Sequence, residues 1–249
     1  MANLSGAYKI RSSDGSQFVE DFRELADRLV GFGSRVGVRI IGYRDSKLPL
    51  FRALAPETQE SIVRELKFYL EICEETLANG HDLRNSKQLV WYAMRKFGFV
   101  PPSNMFDLVD DSYVVEVHDR ELHQVFRNFV FYEYCSYSLE ELHCRPWPEL
   151  YKRDQNAMAS MLEVVDSLLA NRVSWVDCRG IKHFISETES AFRYDMNYEL
   201  VYAFALKDKA RNVEAMLLCE KAEILNAPSI EDEGRMLNEY LKNGPLVAL

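Results

Sequence analysis

The stretch YVVEVHDRELHQVFRNFVFYEYCSYSLEELHCRPWPELY, residues 113–151, holds most of what the chain says about its fold. Its first part, SYVVEVHD (112–119) and ELHQVFRN (121–128), alternates apolar and polar residues in part on either side of a charged turn. That is the pattern of a β-hairpin. The segment FVFYEYCSYSLEEL then turns helical, and Ser138 with Glu141 three positions on has the spacing of a capping box. Pro146-Trp147-Pro148 breaks the run.

Outward from this stretch the two flanks differ. Toward the N-terminus the chain is helical. Residues 16–31 place Phe18, Phe22, Leu25 and Leu29 on one helical face. Pro56 opens a second helix that carries Ile62, Leu66, Cys73 and Leu77 on to Asn79-Gly80. A third helix, 85–98, begins at a capping Asn85 and stops at Gly98. VGVRIIGY (36–43) suits either a strand or a buried helical turn. Pro101-Pro102 cannot continue a helix and marks a boundary.

Toward the C-terminus, residues 157–172 predict a long helix with Met158, Met161, Leu162, Val165, Leu168 and Leu169 on one face. Three strand-like runs follow, IKHFISETES, YELVYAFALKD and VEAMLLCEKAEIL, and then a short helical pattern, SIEDEGRMLNEYLKN. Strand, strand, helices and three strands make an α+β order with an antiparallel sheet. The expected division is a helical regulatory or dimerisation unit over 1–102, a sheet domain over 103–227, and a C-terminal helix and tail over 228–249.

The 39 residues quoted first resemble a PAS domain, a small sensor module of signalling proteins. Asp119 and Asn128 stand at the two strand ends, and Ser136-Tyr137-Ser138 takes the place of the family's Gly-Tyr-Ser. Glu140-Glu141-Leu142 follow in register, and Cys144 replaces a second glycine before Arg145-Pro146-Trp147. A serine in place of glycine is tolerable where φ is negative. The long helix and the three later strands agree with the family's order of elements. The resemblance covers about residues 105 to 226, under half the chain, and nothing in residues 1–100 adds to it.

The resemblance implies a ligand held between the long helix and the sheet. No cofactor is assigned: the haem type draws a histidine from the long helix, which has none, and the photoactive flavin type needs an Asn-Cys-Arg-Phe run, which is absent. The candidate pocket residues are Phe131, Tyr134, Tyr137, Met158, Met161, Leu162, Val165, His183 and Phe204, a mostly apolar set that equally suits plain core.

Composition bounds the remaining choices. Of 249 residues 47% are hydrophobic and 28% charged, as in soluble globular proteins, and no apolar run is long enough to span a membrane. The N-terminus lacks a signal-peptide core, which suggests a cytoplasmic protein. Net charge is −9, with 15 Lys/Arg against 13 Asp/Glu in residues 1–104 and the acidic excess beyond them. That balance disfavours nucleic acid as a primary partner.

Five scattered cysteines form neither a disulfide framework nor a zinc ribbon, and the acidic neighbours of Cys135 and Cys144 would raise a thiol pKa. No P-loop, GxGxxG, GxSxG or HExxH occurs. The expectation is a non-enzymatic signalling protein whose sheet domain binds a small apolar ligand or a protein partner, relays that state through the helical unit, and forms a homodimer. A DNA-binding regulator using residues 56–98 is one alternative, and a metal- or thiol-dependent enzyme a second.

Overall fold

The computed structural model describes residues 15–188 and 194–226. The helix expected over SIEDEGRMLNEYLKN lies outside the described residues.

Helix α1 (Gly15–Arg35) buries Phe18, Phe22, Leu25 and Leu29, the face its spacing predicts, against α3 (Pro56–Ala78). It runs on beyond residue 31, where the stretch read from the sequence ends, to Arg35. Residues 36–43 are neither strand nor helix: their only ladder contact is an isolated bridge from Ile41 to Ser138. The short α2 (Pro49–Arg52) comes next, with the Phe51 ring tilted against Phe22 at 4.6 Å between centroids. Helix α4 (Ser86–Phe97) starts at Asn85, whose side chain accepts from Gln88 N. It ends at Gly98 with φ 75°, a left-handed geometry that favours glycine. After the prolines, Val100 pairs with Lys207, and α5 (Met105–Leu108) leads into the sheet.

Strands β1 (Val114–Asp119) and β2 (Gln124–Arg127) form the expected antiparallel hairpin. Asn128 ends it, and its buried amide joins four groups: it accepts from Val115 N and Phe131 N and donates to Ser86 Oγ and Tyr113 O. A 3-10 helix (Phe129–Tyr134), α6 (Leu139–Cys144), α7 (Trp147–Leu150), the three-residue β3 (Tyr151–Arg153) and α8 (Gln155–Leu169) follow. The capping box of Ser138 and Glu141 forms as read from the sequence. Neither Ser136 nor Cys144 has positive φ, so both replace glycine without strain.

Strands β4 (Trp175–Glu187), β5 (Asp195–Lys207) and β6 (Val213–Ile224) complete a curled antiparallel sheet of order β2-β1-β6-β5-β4-β3. The first and last strands in sequence, β1 and β6, therefore lie side by side.

Both faces of the β1, β6 and β5 part of this sheet are covered, while β4 keeps an outward side with Trp175 and Phe184 exposed. Helix α8 lies on one face, where Met161 and Leu168 meet Leu200, Ala203, Ala205, Met216 and Leu218. The two alanines leave room for the helix to approach. On the other face Val115, Val117, Phe126, Phe204, Leu206, Ala215 and Leu217 join the N-terminal helices in a single continuous core. The Tyr69 ring of α3 lies tilted against Phe126 at 5.6 Å between centroids, and its hydroxyl donates to Arg127 O at 2.7 Å.

Candidate functional site

A strand covered on both sides has no solvent face for its polar residues. In β1, Val115 and Val117 face the N-terminal helices, so the alternate positions Glu116 and His118 point under the sheet, on the side of α8. Each of the other strands does the same. Strand register puts Arg127 of β2, Glu220 of β6, Tyr198 of β5, His183 of β4 and Arg153 of β3 on this same face. All six strands thus give a polar side chain to one buried area beside α8, where the 3-10 helix and α7 form the cover.

The centre of this area is a small cavity lined by Glu116, Phe131, Trp147, Tyr151, Arg153, Ile185, Tyr198 and Glu220. About 10 Å³ is open to the centre of a water molecule, about enough for one water. Glu116 is 4% exposed and accepts from Gln124 Nε2, with His118 Nε2 at 3.3 Å. Burial works against its charge, but His118, Arg153 and Arg127 outweigh burial and hold its carboxyl below the usual value. Glu220 is 4% exposed too, yet no hydrogen bond reaches its carboxyl among the described residues, and the charged groups that act on it are Glu116 and Arg153. Burial and the Glu116 charge push it up to about 8, against the pull of Arg153. At neutral pH one carboxyl of the pair is ionised and the other keeps its proton.

Arg153 rests over the Trp147 ring at 5.4 Å, and its buried Nε has no partner. Arg127 lies 4.9 Å over Phe131 with Nη1 unpartnered. His183 is buried against Tyr198 with both ring nitrogens unpartnered, and burial followed by the Arg153 charge drops it to about 4. Orphaned buried polar atoms are costly and uncommon. Arg153 lines the cavity, and Arg127 and His183 pack on its lining residues Phe131 and Tyr198; Arg23 Nε and Gln59 Oε1 are orphaned away from it, in α1 and α3.

The residues expected to line a pocket are only partly brought together. Phe131 lines the cavity and His183 stands beside it. Tyr137 is buried next to Tyr151, but its hydroxyl is committed, donating to Leu150 O and accepting from Thr188 N. Tyr134 is half-buried at the end of the 3-10 helix. Met161 and, partly, Val165 belong to the α8 core, Met158 is half-buried, and Leu162 points outward at 44% exposure. Phe204 is on the opposite face of the sheet, toward the N-terminal helices. Helix periodicity placed Leu162 on the packed stripe, but α8 presents a narrower face.

Sequence reading missed Glu116, Trp147, Tyr151, Arg153, Tyr198 and Glu220. The available signal was a single Glu inside each of two apolar strands, VVEVH and LLCEKA.

One wall of the site is tied to the N-terminal unit. Glu187, fully buried, accepts from Ser136 N, Ser136 Oγ and Tyr194 N, and burial raises it to about 7 despite those bonds. Arg44 donates to Ser136 O at 2.7 Å and to Glu141 at 3.1 Å. Leu139 N and Glu140 N donate to Ile41 O and Gly42 O. Glu140 in turn accepts from Leu50 N and Phe51 N, capping α2 from about ninety residues away.

Elsewhere the chemistry is quieter. Burial raises all five thiols, Cys135 to about 12 and Cys178 to about 11. Among the described residues no three His, Cys, Asp or Glu side chains are placed to hold a metal. An open groove of about 480 Å³ on α4 is lined by His81, Lys87, Gln88, Trp91, Tyr92 and Phe106. Arg95 and Lys96 of that helix pair with Glu75 and Glu71. No described helix is long and apolar enough to cross a membrane. The chain matches no protein-family model and no curated protein.

Proposed function

We propose that the protein is a non-enzymatic regulatory protein whose sheet is a PAS-like sensor module. The order of elements supports this: two strands, short helices, a long helix on the sheet and three long strands. The observation that carries the reading is the double attachment of the segment from Ser136 to Trp147. Trp147 covers the buried cavity, while Ser136 and α6 are gripped by Arg44, the carbonyls of Ile41 and Gly42, and the amides of α2. A ligand that moves α7 shifts α6 and thereby the N-terminal helices, favouring one of two packings. The ligand is a polar one rather than the apolar one expected from the sequence, because the cavity wall carries two glutamates and an arginine.

Hydrogen exchange of the full chain, with and without metabolites that co-purify in native mass spectrometry, tests the reading. The expected result is a coupled change in exchange at α7, α6 and α2, lost in Arg44→Ala at α2 but kept at α7. Absence of any small molecule that alters exchange in α7 overturns it.

A further inference from the structure

The charges around the cavity do not balance locally. Glu116 is served by His118, Gln124, Arg127 and Arg153. Glu220, two residue pairs along the neighbouring strand on the same face, shares only Arg153 with it, and its carboxyl has no hydrogen-bond partner among the described residues. The other titratable groups nearby are Tyr198 from β5, Tyr151 from β3 and His183 from β4, none of which supplies a second positive charge at neutral pH. A proton on Glu220 meets the deficit when the cavity is empty. The remaining wall is Phe131, Trp147, Tyr151 and Tyr198, and such rings attract cations. The space fits one water-sized group, and Trp147 and Arg153 are the half-buried members of its wall, the rest being buried.

Resting on the sensor reading above, we propose that this cavity receives the ammonium headgroup of a small primary amine, which pairs with Glu220 and takes the place of its proton. The step balances as an exchange: the alkylammonium ion enters charged, the Glu220 carboxyl releases one proton to solvent, and an ion pair remains. The amine's carbon chain leaves past Trp147. A quaternary ammonium is too large, and Arg153 stays on the Trp147 ring as the counter-ion of Glu116.

The test uses full-length protein with ¹³C-labelled isoleucine methyl groups, since Ile185 lines the cavity. Ethylammonium, tetramethylammonium and acetate are titrated at pH 6 and 8. Ethylammonium, still charged at both pH values as a lysine ammonium is, is expected to move the Ile185 signal saturably. Its affinity is expected to rise about tenfold per pH unit as Glu220 loses its proton. Calorimetry in two buffers is expected to show one proton released at pH 6. Glu220→Gln, which keeps the shape of the protonated acid, is expected to lose at least about 90% of the affinity and all of the proton release.

Unchanged affinity in Glu220→Gln, equal binding of tetramethylammonium, or binding of acetate instead each overturns the ammonium assignment. If ethylammonium fails while another compound moves Ile185 and alters α6 exchange, this inference falls and the sensor reading stands. If nothing moves Ile185, both fall.

Discussion

Replacing Glu220 with glutamine is expected to make the protein more stable at high pH and to leave it nearly unchanged at pH 5. The folded protein holds the Glu220 proton up to about pH 8, whereas an unfolded chain releases it near 4.5. Between those values the native state binds more protons than the unfolded state, so wild-type stability falls as pH rises through the window. The penalty that builds up across this window has a ceiling of a few kcal/mol, a large share of the stability of an ordinary domain. Coupling to Glu116 lowers the ceiling, because the pair shares its protons. The amide introduced by Glu220→Gln cannot ionise, so the variant escapes the whole penalty. Urea unfolding of both proteins at pH 5, 7 and 9 measures the effect. The two are expected to differ by under about 1 kcal/mol at pH 5 and by a few kcal/mol in favour of the variant at pH 9. Glu187 and His183 titrate in both proteins and cancel in the difference. Parallel stability curves across this range would refute the account of Glu220 as a buried, protonated acid.

Asn128→Ala removes four hydrogen bonds at a fully buried position; the expected loss is about 3 kcal/mol or more, measured by urea unfolding at pH 7. His183, depressed by burial to about 4, contributes stability that is complete above about 6.5 and lost as pH falls toward 4. His183→Leu is therefore expected to flatten the acid side of the stability profile by roughly 3 kcal/mol at most, and an unchanged acid slope contradicts the assignment. All five cysteines are expected to react slowly with a chromogenic disulfide reagent at pH 8 in the native protein and fully after denaturation; one fast thiol in the native state would show an activated cysteine.

The elements were legible wherever a local rule applied. Pro56, Asn85 and Gly98 mark helix ends by their own backbone chemistry, and the Ser138–Glu141 box needs only four consecutive residues. The segment 36–54 was not legible, since Ile41, Gly42 and α2 take their shape from hydrogen bonds to residues 138–141. The site fell between these cases. Of the pocket candidates, Phe131 lines the cavity and His183 packs on its Tyr198. Phe204 was assigned to the wrong side because strand alternation gives two faces without saying which one the helix will cover. Glu116 and Glu220 come together only through the pairing of β1 with β6, about a hundred residues apart, and no local pattern announces that pairing. Wherever a sheet is buried on both sides, a lone acid in an apolar strand is the signal to weigh.

The capping of α2 by Glu140 bears on how the chain is put together. Four residues cannot hold a helix alone, and Leu48, just before them, sits at φ 52°, a conformation unfavourable for a branched side chain. That turn is stable only once Glu140 is in place to accept from Leu50 and Phe51. During synthesis the first hundred residues therefore wait, with this corner unformed, for the segment that completes it. A chain severed at Pro101-Pro102 would yield two pieces that each lack part of a common interior, and mixing them should restore one assembled molecule.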